Sequence, residues 1–112
     1  MSLYELNYRM VKVIETPFFT RAVKKLLTQT EYQFLIELLL DNPKIGIVEP
    51  GTLGARKIRL PRIGHGKSAG FRVIYFYYLT EEEIWLIDIY GKNDKSTADK
   101  KSLRKIISEI KK

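Results

Sequence analysis

Apolar and polar positions along the chain change period several times, and each change marks an element. In residues 7–14, NYRMVKVI, Tyr8, Met10, Lys12 and Ile14 alternate with Arg9, Val11 and Val13, the period-two pattern of a strand. Thr16-Pro17 then reads as an N-cap followed by proline at the first helical position. Phe18, Phe19, Ala22, Val23, Leu26 and Leu27 recur at helical spacing and predict an amphipathic helix over 17–28. Thr30 and Gln33 have the spacing of a capping box, Leu35, Ile36 and Leu39 continue an apolar face, and Pro43 stops the pattern. Two consecutive helices with a tight joint make a helical hairpin.

Residues 42–54 read as a loop, carrying Pro43, Gly46, Pro50, Gly51 and Gly54. Three strands are expected beyond it. Ala55–Leu60 alternates Lys57 and Arg59 against Ile58 and Leu60; Phe71–Leu79 is apolar on both faces and therefore central; Glu83–Tyr90 is similar. Glu81-Glu82 falls at the hairpin between the last two, and Pro61–Ala69 forms a long loop between the first two. Ser96 or Thr97 is the expected cap of a final helix whose stripe is Leu103, Ile106, Ile107 and Ile110. The predicted order is β-α-α-β-β-β-α. This is an α+β fold, a single domain over 1–112, with an antiparallel sheet and helices packed on one face.

Composition narrows the class. A chain of 112 residues, 45 % hydrophobic, can bury one core. The absence of cysteine excludes disulfides and thiolate metal sites. No apolar run approaches the roughly 20 residues of a membrane span. The start, MSLYELNYRM, lacks the basic flank and apolar block of a signal peptide, so a cytoplasmic protein with no membrane partner is expected.

Charge adds the most. The net charge is +7, and from Gly51 to Arg72 there are six Lys/Arg and no Asp/Glu: Arg56, Lys57, Arg59, Arg62, Lys67 and Arg72. The remaining cations nearly cancel the thirteen acids. A field concentrated in this way suits a polyanion. Period-two alternation puts Lys57 and Arg59 on one face, and antiparallel pairing brings Arg72 beside them on the open side of the sheet. Tyr90, Lys92 and Lys95 follow at the sheet end. Guanidinium forks match phosphate oxygens, whereas lysine acts as a point charge. Tyr90 is the candidate to stack on a base, while Tyr75, Tyr77 and Tyr78 are assigned first to core and cross-strand packing. Clustered cations should also lower the pKa of a neighbouring lysine toward that of a general base. His65, the only histidine, sits between two glycines in the long loop and is a second candidate base. Arg56, Arg62, Lys67 and His65 are expected to contact RNA. The chain holds no GxSxG, P-loop, acid pair or metal-ligand cluster, so no cofactor or metal is expected. On these residues alone three readings stand: an RNA-cleaving enzyme, a non-catalytic nucleic-acid-binding module, and a docking face for an acidic protein.

Gly54-Ala-Arg-Lys-Ile-Arg-Leu-Pro, Gly66-Lys-Ser-Ala-Gly-Phe-Arg-Val-Ile-Tyr and Ile89-Tyr-Gly-Lys-Asn-Asp-Lys, with the helix after Thr97, resemble the RelE/HigB toxin superfamily, most closely its HigB-like branch. The resemblance implies a type II toxin, an mRNA interferase that cleaves translated mRNA in the ribosomal A site without metal. In that chemistry the RNA 2′-hydroxyl attacks the adjacent phosphate, leaving a cyclic phosphate and a 5′-hydroxyl. It implies a cognate antitoxin with a HigA-like helix-turn-helix domain, and contact with operator DNA only through the toxin–antitoxin complex. Lys57 and Arg59 match the family's basic pair, Arg72 its phosphate-holding arginine, and Lys92 and Lys95 its basic turn. Asn93 stands where some relatives carry arginine, and Tyr90 takes the tyrosine role seen in HigB-like members.

Overall fold

The computed structural model describes residues 2–6, 9–62, 70–96 and 98–112. Strands β1 (Ser2–Leu6) and β2 (Arg9–Glu15) lead into helices α1 (Pro17–Leu26) and α2 (Gln29–Asp41). Strands β3 (Ile47–Val48), β4 (Arg56–Leu60), β5 (Phe71–Tyr78) and β6 (Glu83–Gly91) follow, and α3 (Lys100–Ile110) closes the chain. The expected order holds with two additions, β1 and the two-residue β3. The strand expected over 7–14 corresponds to β2; Asn7 and Tyr8 lie outside the described residues.

Local chemistry fixes the helix ends. Thr16 caps α1, its hydroxyl accepting the Phe19 N–H at 3.2 Å, with proline in the first turn. The capping box of α2 is Thr28 with Glu31, two residues before the expected Thr30 and Gln33. The Thr28 hydroxyl accepts the Glu31 N–H at 3.1 Å, and the Glu31 carboxylate accepts the Thr28 N–H at 2.9 Å. A carboxylate is a stronger acceptor than an amide, which favours this earlier start. Asp99 caps α3 in place of Ser96 or Thr97, accepting the Ser102 N–H at 2.8 Å. That bond holds the Asp99 carboxyl below its usual range.

The six strands run in the order β1-β2-β6-β5-β4-β3. Pairing is antiparallel except between β2 and β6, which are parallel. Helices were expected on one face only, and α1 and α2 occupy it. Phe19, Val23, Leu35 and Leu39 pack there on Ile58, Leu60, Val73, Tyr75, Leu86 and Ile89. Helix α3 lies on the other face, where Leu103 and Ile107 meet Ala55, Ile74, Phe76 and Ile87. The two cores take alternate residues of β5, as strand geometry requires.

One irregularity decides which side chains face which core. Ile74 pairs with Asp88 but Tyr75 pairs with Leu86, so Ile87 is an extra residue in β6. Trp85 and Ile87 face α3; strict alternation would carry Ile89 to that face and Tyr90 to the other. The bulge inverts the phase. Ile89 enters the α1/α2 core, and Tyr90 joins the α3 face.

The chain between α2 and β4 is fastened from beneath. The buried Tyr75 hydroxyl donates to Pro43 O at 2.7 Å and accepts the Gly46 N–H at 2.9 Å. Burial raises its pKa above the ordinary tyrosine value. A Cβ at Gly46 would lie 2.7 Å from the Tyr75 ring, so only glycine admits this approach. Tyr75→Phe leaves both backbone groups short of a partner and should destabilise the fold by about 1–3 kcal/mol. Urea denaturation measures this, and an unchanged midpoint would show that the tie carries no stability.

Candidate nucleic-acid site

Three adjacent strands carry a transverse row of polar side chains. Arg59 of β4 is the Cα partner of Arg72 in β5, and Arg72 is the partner of Tyr90 in β6. Ile58 and Leu60 point into the α1/α2 core, so Lys57 and Arg59 point to the opposite face; Phe71 and Val73 place Arg72 there by the same rule. Tyr90 is there because of the bulge. Helix α3 covers the middle of this face over Ile74 and Phe76 and leaves the row at its edge. The antiparallel pairing thus brings Lys57, Arg59, Arg72 and Tyr90 together.

Like charges placed directly across an antiparallel pair destabilise it. Arg59 and Arg72 stand in such a pairing, and Arg72 Nη1 is buried with no hydrogen-bond partner among the described residues. A buried orphan donor on a guanidinium is rare, because it costs roughly 1–3 kcal/mol or more. An anion beside Arg72 would satisfy that donor, and phosphate oxygens match the guanidinium fork.

Lys57 has a partner the charge pattern did not suggest. Its Nζ lies 2.8 Å from Glu49 Oε1, and both side chains are partly exposed. The pKa of Lys57 is raised above 10.5, first by the Glu49 hydrogen bond and also by Tyr90. The expectation that clustered cations would lower it is therefore overturned: the Glu49 carboxylate outweighs the lowering effect of burial. Glu49 is held by its backbone. Its N–H donates to Ala55 O at 2.8 Å, and its carbonyl accepts the Thr52 hydroxyl at 2.7 Å. Arg104 of α3 secures the same turn through Gly51 O at 2.8 Å.

The turn after β6 brings two more cations to the end of the row. Lys92 N–H donates to Gly70 O at 3.1 Å, which sets the turn beside the start of β5. A Cβ at Gly70 would lie 2.8 Å from Leu60 O, so the close approach of β4 here also needs glycine. Lys92 and Lys95 are both exposed. Buried Asp88 pins the far end of the turn, accepting the Ser96 hydroxyl at 2.6 Å and the Ile89 N–H at 2.8 Å.

Other expected contacts fall elsewhere. Arg56 points to the opposite face, where its Nη1 donates to Gly46 O at 2.8 Å and Lys44 O at 3.1 Å; it braces a loop. Exposed Arg62 stands 5.9 Å over the ring of Phe71, a residue of the α1/α2 core. Tyr75 is wholly buried, as core packing predicts. His65 and Lys67 lie outside the described residues. Sequence reasoning missed Glu49, Asp88 and Ser96. Glu49 had a signal: it is the only acid between Asp41 and Glu81. A groove of about 600 Å³ between α1 and α3, walled by Phe18, Trp85 and Ile106, is apolar and contains none of the clustered cations. A cleft of about 400 Å³ lined by Leu38, Ile45, Ile47, Glu49, Lys57, Ile58 and Arg59 adjoins the row.

A folded-state pKa above the unfolded value means that the Glu49–Lys57 pair stabilises the fold below about 10.5 and that this contribution is lost as pH rises through the folded value. Glu49→Gln should move the Lys57 titration down, as followed by the Lys57 Cε NMR shift. A titration that stays put would place the cause outside the pair.

No helix among the described residues is long and apolar enough to cross a membrane. No family model matches the chain. Among solved structures, an arginine-to-alanine double mutant of the E. coli toxin RelE in the free state superposes with a TM-score of 0.55 at 19 % identity, over 75 % of this chain and 84 % of that one. The intact E. coli RelBE toxin–antitoxin complex matches with a TM-score of 0.50 at 18 % identity, over 76 % of this chain and 99 % of that one. Element order, sheet and superposition agree: the chain has the fold of the RelE toxin.

Proposed function

We propose that this protein is the toxin of a type II toxin–antitoxin pair, an endoribonuclease that cuts translated mRNA on the ribosome and so inhibits translation. The observation that carries the reading is the in-register row of Arg59, Arg72 and Tyr90, with the buried Arg72 Nη1 left without a partner among the described residues. The chemistry needs no metal when the nucleophile is the RNA's own 2′-hydroxyl. What the protein must supply is a phosphate grip, neutralisation of the charge that builds on the pentavalent phosphorus, and orientation of the flanking base. Arg72 and Arg59 grip and neutralise; the Lys57 ammonium adds a point charge; Tyr90 stacks on a base. Lys92 and Lys95 hold neighbouring phosphates, and His65 and Lys67 extend the contact along the basic segment. Arg56, bonded to the loop at Lys44 and Gly46, has no part in this reading, and exposed Arg62 adds a further phosphate contact. The working place is the cytoplasm, where the ribosome is.

The partner that follows is a cognate antitoxin, consistent with a fold neighbour that was solved as a toxin–antitoxin complex. We assign it a HigA-like helix-turn-helix domain on the sequence resemblance, with operator DNA reached only through the complex.

Induction in a bacterial host should arrest growth, and mapping of mRNA 5′ ends should reveal new cuts in translated frames. Arg72→Ala should slow cleavage by about 10²–10³-fold, the loss seen when one oxyanion-stabilising donor is removed. An Arg72→Ala protein that stays folded and fully toxic would overturn the site. Intact RNA with retained binding would favour the non-catalytic module instead. Lys92→Ala and Lys95→Ala should each reduce the slope of log affinity against log salt for single-stranded RNA by about 0.7. An unchanged slope would remove that lysine from the interface.

A further inference from the structure

We propose that the apolar groove between α1 and α3 takes up one acidic amphipathic helix of the antitoxin, and that this occupant leaves the arginine row open to RNA; the identity of the partner rests on the reading of the protein as a toxin. The groove has a volume of about 600 Å³. Strand β6 contributes Trp85 and Ile87, α1 contributes Pro17 and Phe18, and α3 contributes Ile106 and Ile110. The Trp85 indole N–H donates to Glu83 Oε1 at 3.0 Å, so the ring needs no polar partner from the groove. Phe18 is 42 % exposed. A second hollow of about 320 Å³ shares Phe18 and continues the apolar surface over Ala22 and Leu26. Contiguous apolar surface with a polar rim marks a site for a partner.

Charge selects the occupant. Arg21 and Lys25 flank the hollow on α1, Lys105 lies on the α3 wall, and Lys101 stands one turn before it; all four are exposed. Helix α1 carries no acid, and the acid on the α3 wall, Glu109, is paired with Lys112 at 3.2 Å. RNA would match these cations but not the apolar floor. A second copy of this chain, itself at +7, would match the floor and be repelled by the rim. A helix with one apolar face and acidic flanks matches both. Its anchors at i, i+3, i+4 and i+7 would lie along the α3 wall, which from Ser102 to Ile110 runs about 12 Å at 1.5 Å per residue.

Helix α3 separates this groove from the row. Leu103 and Ile107 seat the helix on the sheet. Ser102, Ile106 and Glu109 lie on the flank of that seat that faces α1. Arg104 lies on the other flank and donates to Gly51 O at 2.8 Å, in the turn that holds Glu49. None of Lys57, Arg59, Arg72, Tyr90, Lys92 and Lys95 lines either hollow. A helix in the groove therefore covers α1 and the near flank of α3 and stops short of the row. The toxin can hold its partner and an RNA strand at the same time.

The test uses the whole toxin and the protein encoded beside it. Wild-type toxin should bind that protein, and Phe18→Glu should weaken the complex by about 30-fold or more, the loss expected when a central anchor is removed. Should Phe18→Glu fail to fold, the double variant Lys25→Glu/Lys105→Glu changes only exposed charges and should weaken binding and reduce its salt dependence. Single-stranded RNA added to the wild-type complex should give a ternary species. RNA that displaces the partner overturns the proposal. A concentration-dependent toxin dimer that Phe18→Glu dissociates makes the occupant a second copy and overturns it as well. A wild type that neither arrests growth nor cleaves RNA defeats the reading as a toxin, and the partner with it. A toxic wild type that does not bind its neighbour, or whose groove variants bind it as tightly, defeats the docking site alone.

Discussion

The site depends on a single extra residue in a strand. Without the bulge at Ile87, Tyr90 would point toward α1 and α2, and an isoleucine would stand beside Arg72. Because side chains alternate strictly along a strand, one inserted residue exchanges the two faces for everything beyond it. The same irregularity lets α3 seat on Ile87 while the strand end serves the polar row. Thr16 braces it, its hydroxyl donating to Ile87 O at 3.1 Å at the entrance to α1. Helix entry, bulge and site are therefore one mechanical unit.

A second layer of support comes from loops held by buried polar groups. Tyr75 fastens the chain at Pro43 and Gly46, Thr52 and Arg104 fasten it around Glu49, and Asp88 fastens the turn bearing Lys92 and Lys95. Each group is satisfied by a named partner, so the loops inherit the order of the cores beneath them. The charged face is thus assembled before any ligand arrives.

Much of this was legible in the sequence. Period, with the Thr16 cap, predicted the two N-terminal helices, the three long strands and the apolar stripe of α3, because each depends on local spacing, whereas the caps of α2 and α3 fall at Thr28 and Asp99 instead of the expected positions. Alternation alone grouped Lys57 with Arg59, and antiparallel pairing added Arg72. What remained hidden was whatever depends on register or on distant chain. The bulge leaves no mark in the run Ile84–Tyr90, which is apolar on both faces. Helix α3 could not be assigned a face for the same reason. The two-residue β3 is too short to carry a period, and β2 pairs parallel to a strand some seventy residues away. Glu49 sits in a stretch of prolines and glycines whose path only tertiary structure defines. Arg56 joined the expected contacts because a charge count does not distinguish the faces of a strand.

The buried Arg72 Nη1, without a partner among the described residues, makes the stability of this protein a property of its solution as well as of its chain. Whatever binds the folded state at that point, and not the open chain, shifts the folding equilibrium by mass action. Sulfate, phosphate or a short oligonucleotide should each act as a thermal protectant, in order of their grip on that guanidinium. The melting temperature of the isolated protein then becomes a simple assay for anions that fit.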